Sequence, residues 1–192
     1  MRKFFLFAIP VLFFYSCKKD AIVPKPSTHP VMRYKDLQNA EVAVSYSQSV
    51  DIDNDGTKDF AFSVLLVGDP ILQRDRLQFI AHSKIDDNLL NNDEDQSPVL
   101  NRYDLISETH QGYQWYEISA IVLAEKITTM TNVFWEGLWK NASHKYLPVQ
   151  IKRNNKLYHG WIELSFDTAS EKLILHKSAI STEAGKDVKA GY

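Results

Sequence analysis

Lys145-Tyr146-Leu147-Pro148-Val149-Gln150-Ile151-Lys152-Arg153-Asn154-Asn155-Lys156-Leu157-Tyr158-His159-Gly160-Trp161-Ile162-Glu163-Leu164-Ser165-Phe166 reads as two strands and the turn that joins them. A strand sends successive side chains to opposite faces, so residues two apart share a side. In the second half, Tyr158, Gly160, Ile162, Leu164 and Phe166 fall on one side. Leu157, His159, Trp161, Glu163 and Ser165 fall on the other. Asn154-Asn155 suits the turn because asparagine tolerates positive φ.

Outward from this hairpin the same grammar continues. Asp167 to Ser170 reads as the next turn and Lys172 to Ala179 as the next strand. Upstream, Val42, Val44 and Tyr46 alternate with Ala43, Ser45 and Ser47, a period of two that predicts a strand from about Glu41. Phe60 to Val67 is a run of β-formers closed by Gly68-Asp69-Pro70, and Leu77 to Ala81 is a shorter one. Gln114 to Leu123 reads as a strand, with Ala124-Glu125-Lys126 open to helix at its end. Ile85 to Pro98 is polar and acidic and predicts an exposed loop. Short strands at close spacing, without a long helical period, predict a mainly β protein. The expected fold is an antiparallel β-sandwich of jelly-roll or Ig-like type with little helix.

One internal stretch carries chemistry. Asp51-Ile52-Asp53-Asn54-Asp55-Gly56-Thr57-Lys58-Asp59 places carboxylates at loop positions 1, 3, 5 and 9, with glycine at 6. Calcium takes 6–8 oxygens in flexible geometry, and alternate side chains of a curling loop converge on one point. Gly56 permits the sharp turn, and the Thr57 carbonyl suits position 7. The candidate ligands are thus Asp51, Asp53, Asp55, Thr57 and Asp59, with calcium in a structural role. A bare turn is the competing reading, since Asp, Asn and Gly also make turns without metal. Position 12 is Phe62 rather than a bidentate Glu, and β-rich runs flank the loop, so this is not a helix–loop–helix hand. The loop resembles the Asp-x-Asp-x-Asp-Gly-x-x-Asp loops of FG-GAP, VCBS-type and dockerin-like secreted modules.

The N-terminus supplies an address. Met1-Arg2-Lys3 precedes an almost wholly apolar run from Phe4 to Tyr15, then Ser16-Cys17. A basic end, a short apolar run and a small residue before the cut describe a secretory signal, and the run is too short to span a bilayer. Cys17 is the one cysteine of the 192 residues. Phe14-Tyr15-Ser16-Cys17 resembles the lipobox of bacterial lipoproteins, and Cys17-Lys18-Lys19-Asp20 resembles a Bacteroidetes-type mature start. That resemblance implies cleavage before Cys17, fatty acylation there, and anchoring in the outer membrane, on either its periplasmic face or the cell surface. Residues 1–16 are then the signal, 17–35 the lipidated end and a proline-bearing tether, and 36–192 one β-sandwich domain. An ordinary signal peptide or an uncut membrane anchor are the alternatives.

Removing the signal takes Arg2 and Lys3 away and leaves 176 residues with a formal charge of about −4. Neither that charge nor the scattered basic residues suit nucleic acid. Disulfides are excluded, so stability must come from the core, for which 44% apolar residues provide material. No Gly-x-Ser-x-Gly elbow, phosphate-cradling loop or histidine pair at metal spacing occurs.

Four residues are candidates for ligand contact: Trp135, Trp161, His159 and Glu163. Tryptophans on an open face stack on sugars or anchor a partner, whereas in a core they are large buried side chains. Asp51 to Phe62, Tyr146 to Ile151, Tyr158 to Leu164 and Ala184 to Gly191 together resemble secreted Bacteroidetes proteins with an early calcium-type loop and a late Gly-Trp strand. That resemblance implies a β-sandwich and an envelope address, and no activity. The expected function is a lipid-anchored envelope protein that binds a glycan or a protein. A glycoside-active enzyme using carboxylates such as Glu136 and Glu163, or a purely structural envelope component, are the alternatives.

Overall fold

A computed structural model describes residues 29–192; the signal, Cys17 and most of the tether lie outside the described residues. Thirteen strands occur there, and no helix. They begin with β1 (Met32–Val42), β2 (Gln48–Val50), β3 (Phe60–Asp69), β4 (Arg74–Ser83) and β5 (Asp87–Asn91). β6 (Leu105–Ile106), β7 (Gln114–Glu117), β8 (Ala120–Thr129) and β9 (Val133–Glu136) follow. The chain ends with β10 (Lys145–Arg153), β11 (Lys156–Asp167), β12 (Lys172–Ser181) and β13 (Val188–Lys189).

The first sheet has the order β1-β12-β11-β10-β5-β7, and the second β2-β3-β4-β8-β9. Their strand pairs are antiparallel, and the protein is a mainly-β sandwich. Asn154 and Asn155 both adopt positive φ, 51° and 57°, which matches the turn to the right-handed twist of β10 and β11. β11 divides its side chains as its period dictates. Ile162, Leu164 and Phe166 join Phe60, Phe62, Phe79 and Leu147 in the core between the sheets. Each large apolar side chain buried there contributes about 1.5–3 kcal/mol before ordering costs. Gly160 lies where β11 and β12 approach closely: a Cβ there would sit 2.3 Å from the Ala179 carbonyl oxygen.

The opposite face of the first sheet is covered as well. β6 and β13 pair into a small ribbon that lies over it. Ile106, Val188 and Ala190 close a second apolar cluster on Met32, Tyr146, Trp161 and Ala179. The centre of β11 is therefore buried on both faces.

Three expectations from the sequence change. The first strand begins at Met32, inside the span assigned to the tether, because Thr182 N–H donates to the Val31 carbonyl and extends the ladder with β12. Val42 to Tyr46 is not one strand: Ala43 and Tyr46 exchange backbone hydrogen bonds around a tight turn, leaving Val44 and Tyr46 exposed. Ile85 to Pro98 is not wholly loop, since β5 lies between β10 and β7 with Leu89 and Leu90 fully buried. Its polar residues disguise it, and each has a partner: Asp87 takes Arg153, Asn88 takes Gln150 and Asn91 takes Ser119.

Candidate functional site

The loop between β2 and β3 folds around its own carboxylates. Asp53 Oδ1 accepts from the Asp55 N–H at 3.2 Å, Asp55 Oδ1 from Thr57 N–H at 2.6 Å, and Asp51 Oδ2 from Gly56 N–H at 3.2 Å. Gly56 has φ of 93°, which a side-chain-bearing residue rarely adopts. These local bonds replace strand pairing through the loop. They leave one oxygen each of Asp51, Asp53 and Asp59 within 4.8 Å of one another. Asp55 and Thr57 lie outside that group and are exposed.

A guanidinium faces the same carboxylates. Arg153, at the end of β10, donates to Asp53 Oδ2 at 2.9 Å, Asp59 Oδ1 at 2.6 Å and Asp87 Oδ1 at 3.0 Å. The second Asp59 oxygen accepts from Ile52 N–H at 2.7 Å. Lys35 donates to the Asp51 carbonyl at 2.7 Å, and Arg33 to the Asp53 carbonyl. Asp59 is fully buried, and that burial pushes its carboxyl up to about 6 despite the Ile52 N–H and Arg153. Burial likewise raises Asp87, against the pull of Arg153. For Arg153, burial acts to lower its pKa, but Asp87, Asp53 and Asp59 override it and hold the group above its ordinary value.

The fit to a cation rests on what these contacts leave over. Asp51, Asp53, Asp55, Asp59 and Asp87 exceed the cationic heads of Arg153, Lys35 and Arg33 by two charges. Asp51 is 7% exposed, yet its Oδ1 has no hydrogen-bond partner among the described residues. A buried carboxylate oxygen without a partner is costly, and a bound cation removes the cost. The Asp51, Asp53 and Asp59 cluster can therefore hold a metal ion. Sequence spacing revealed these three. It gave no sign of Arg153 and Asp87, which join the cluster through strand pairing between β10 and β5.

The four residues chosen as ligand contacts are not brought together on an open face. Trp161 is 3% exposed and His159 1%, because the ribbon and the C-terminal segment cover β11; His159 Nδ1 bonds the Lys186 carbonyl at 3.0 Å. Neither presents a ring to solvent. Trp135 is half-buried against Phe79 and Phe166 at the edge of the inter-sheet core. Glu163 accepts from His144 Nδ1 at 2.8 Å. Glu136 belongs to the second sheet and Glu163 to the first.

A different aromatic residue lines an open groove beside β7. Trp115 lies there with Tyr113, His110, Gln114, Glu108 and Asp93, around a cavity of about 480 Å³. Trp115 was hidden in the sequence by reading Gln114 to Leu123 as one apolar strand; the structure breaks that run at Ile118, whose φ is 54°.

Comparison with protein-family models, with curated proteins and with solved structures finds no match to this chain.

Proposed function

We propose that this chain is a lipid-anchored protein of the bacterial outer membrane, non-enzymatic, whose β-sandwich is stapled by calcium and binds a glycan or protein ligand. The observation that carries the calcium reading is the unpartnered, buried Asp51 Oδ1 beside Asp53 and Asp59. An all-oxygen donor set with a surplus of two negative charges suits a hard divalent ion. Asp51, Asp53 and Asp59 would hold it, with Asp55 and the Thr57 carbonyl able to join by a small movement of the exposed turn. The ion's role is to tie the loop between β2 and β3, so its binding free energy adds to folding.

The test is thermal unfolding of the full chain in detergent, with calcium and with chelator. Chelation is expected to lower the midpoint by several degrees, and Asp51→Asn to abolish that difference. An unchanged midpoint overturns the calcium reading. The anchor rests on Cys17, and Cys17→Ser is expected to abolish both fatty-acid labelling and retention in the membrane fraction. Labelling that survives the substitution overturns the anchor.

A further inference from the structure

We propose that the groove beside β7 is the seat for the glycan of the preceding reading, and that it selects neutral pyranose chains over acidic ones. The inference rests on the binding part of that reading and is independent of calcium. The groove's volume, about 480 Å³, falls within the roughly 300–1,000 Å³ of small-ligand clefts.

Its walls are held before any ligand arrives. Trp115 Nε1 donates to the Ser107 carbonyl at 3.1 Å, and the ring meets the His110 edge at 6.1 Å and 77°. Ser107 N–H donates to His110 Nε2 at 3.1 Å, so the neutral ring carries its proton on Nδ1. On the other wall, Asn92 Oδ1 accepts from the Glu94 and Gln96 N–H groups at 3.0 and 2.9 Å and fixes the turn that carries Asp93. Ordering these loops in advance lowers the entropic cost of binding.

The chemistry of the lining selects the ligand. A pyranose has an apolar C–H face and a rim of hydroxyl donors. Trp115 and Tyr113 supply aromatic surface for the face. Asp93 and Glu108 supply acceptors for the hydroxyls, and Gln114 offers both kinds of group. Asp93 makes no side-chain hydrogen bond or ion pair among the described residues, and Glu108 commits only Oε2, to Gln150 Nε2 at 3.1 Å and His159 Nε2 at 3.5 Å. No lysine or arginine lines the groove. A uronate or sulfated chain would meet Asp93 and Glu108 as like charges, with no lysine or arginine in the lining to offset them.

Calorimetry of the full chain in detergent tests this with four probes: cellohexaose, maltohexaose, chitohexaose and trigalacturonic acid. At least one of the three neutral oligomers is expected to bind, and trigalacturonic acid not to. Trp115→Ala is expected to weaken binding about tenfold. That variant also removes a contact to His159, so exposed Asp93→Ala is the second arm, with a similar loss expected in a fully folded chain. Binding should persist in chelator below the melting transition, which separates this result from the calcium test. The proposal is overturned if no neutral oligomer binds, if Asp93→Ala binds as tightly as the wild type, or if trigalacturonic acid binds equally well.

Discussion

Replacing Arg153 by methionine is expected to cost about 3–5 kcal/mol of folding free energy, the largest effect expected of any single charge among the described residues. The reason is not the loss of an attractive pair. Arg153 touches Asp59, whose side chain is 0% exposed, and Asp87, whose side chain is 4% exposed. Methionine fills similar space but leaves both carboxylates buried without their cation. Urea unfolding of the metal-free chain measures the loss, and a cost under about 1 kcal/mol would show that other groups satisfy the two aspartates. Calcium should restore part of the loss, since an ion among Asp51, Asp53 and Asp59 supplies charge to the same site.

The pH dependence separates this account from a packing defect. Burial raises Asp59 from 3.8 to about 6 and moves Asp87 in the same direction. A group whose folded value lies above its unfolded one binds extra protons on folding. Its stabilising contribution is complete below the unfolded value and is lost as pH rises through the folded one. The guanidinium holds both aspartates down, so removing it lifts them further. The gap in stability between variant and wild type should therefore narrow from about pH 7.5 to about pH 5. Measuring the gap, rather than either protein alone, cancels the half-buried histidines His82, His110 and His176, whose depressed values pull the opposite way. A gap that is constant in pH sinks the electrostatic account.

What the sequence disclosed follows from how far each signal reaches along the chain. The alternation of β11 and its Asn-Asn turn are local, and they define the hairpin at the centre of the first sheet. The aspartate loop is local too, since nine neighbouring residues carry its spacing. Its counter-charge is not: Arg153 lies 94 positions from Asp59, and only strand pairing delivers it. β5 was missed because its polar residues look solvated until their partners on β10 and beside β8 are known. The period of two from Val42 to Tyr46 misled because Ala43 and Tyr46 close a tight turn that exposes Val44 and Tyr46, so the alternation of residue types has no buried face behind it. Period identifies which residues share a face; it does not say what covers that face. That is why Trp161 and His159 pointed to an open surface that the C-terminal segment in fact closes.

Trp161→Ala is accordingly expected to cost about 3–5 kcal/mol and to leave oligosaccharide affinity unchanged in the folded fraction. Trp161 packs edge-on against Tyr146 at 5.2 Å and beneath Val188 and Ala190, so truncation opens a cavity that strand pairing prevents from collapsing. Its indole Nε1 is buried with no partner among the described residues. Trp161→Phe loses volume but also removes that unsatisfied donor, so its cost should be well below that of alanine, about 1.5 kcal/mol or less. A ring that stacked on sugar would give the reverse pattern, with stability kept and affinity lost. Removing residues 186–192 adds an independent check on the cover. It deletes Val188, Ala190 and Gly191, the last of which packs so closely on Tyr146 that a Cβ would lie 2.4 Å from that ring. Water would then reach Trp161, and tryptophan emission should shift to the red. Emission that stays put would mean that the ribbon does not hold the outer face of the first sheet closed.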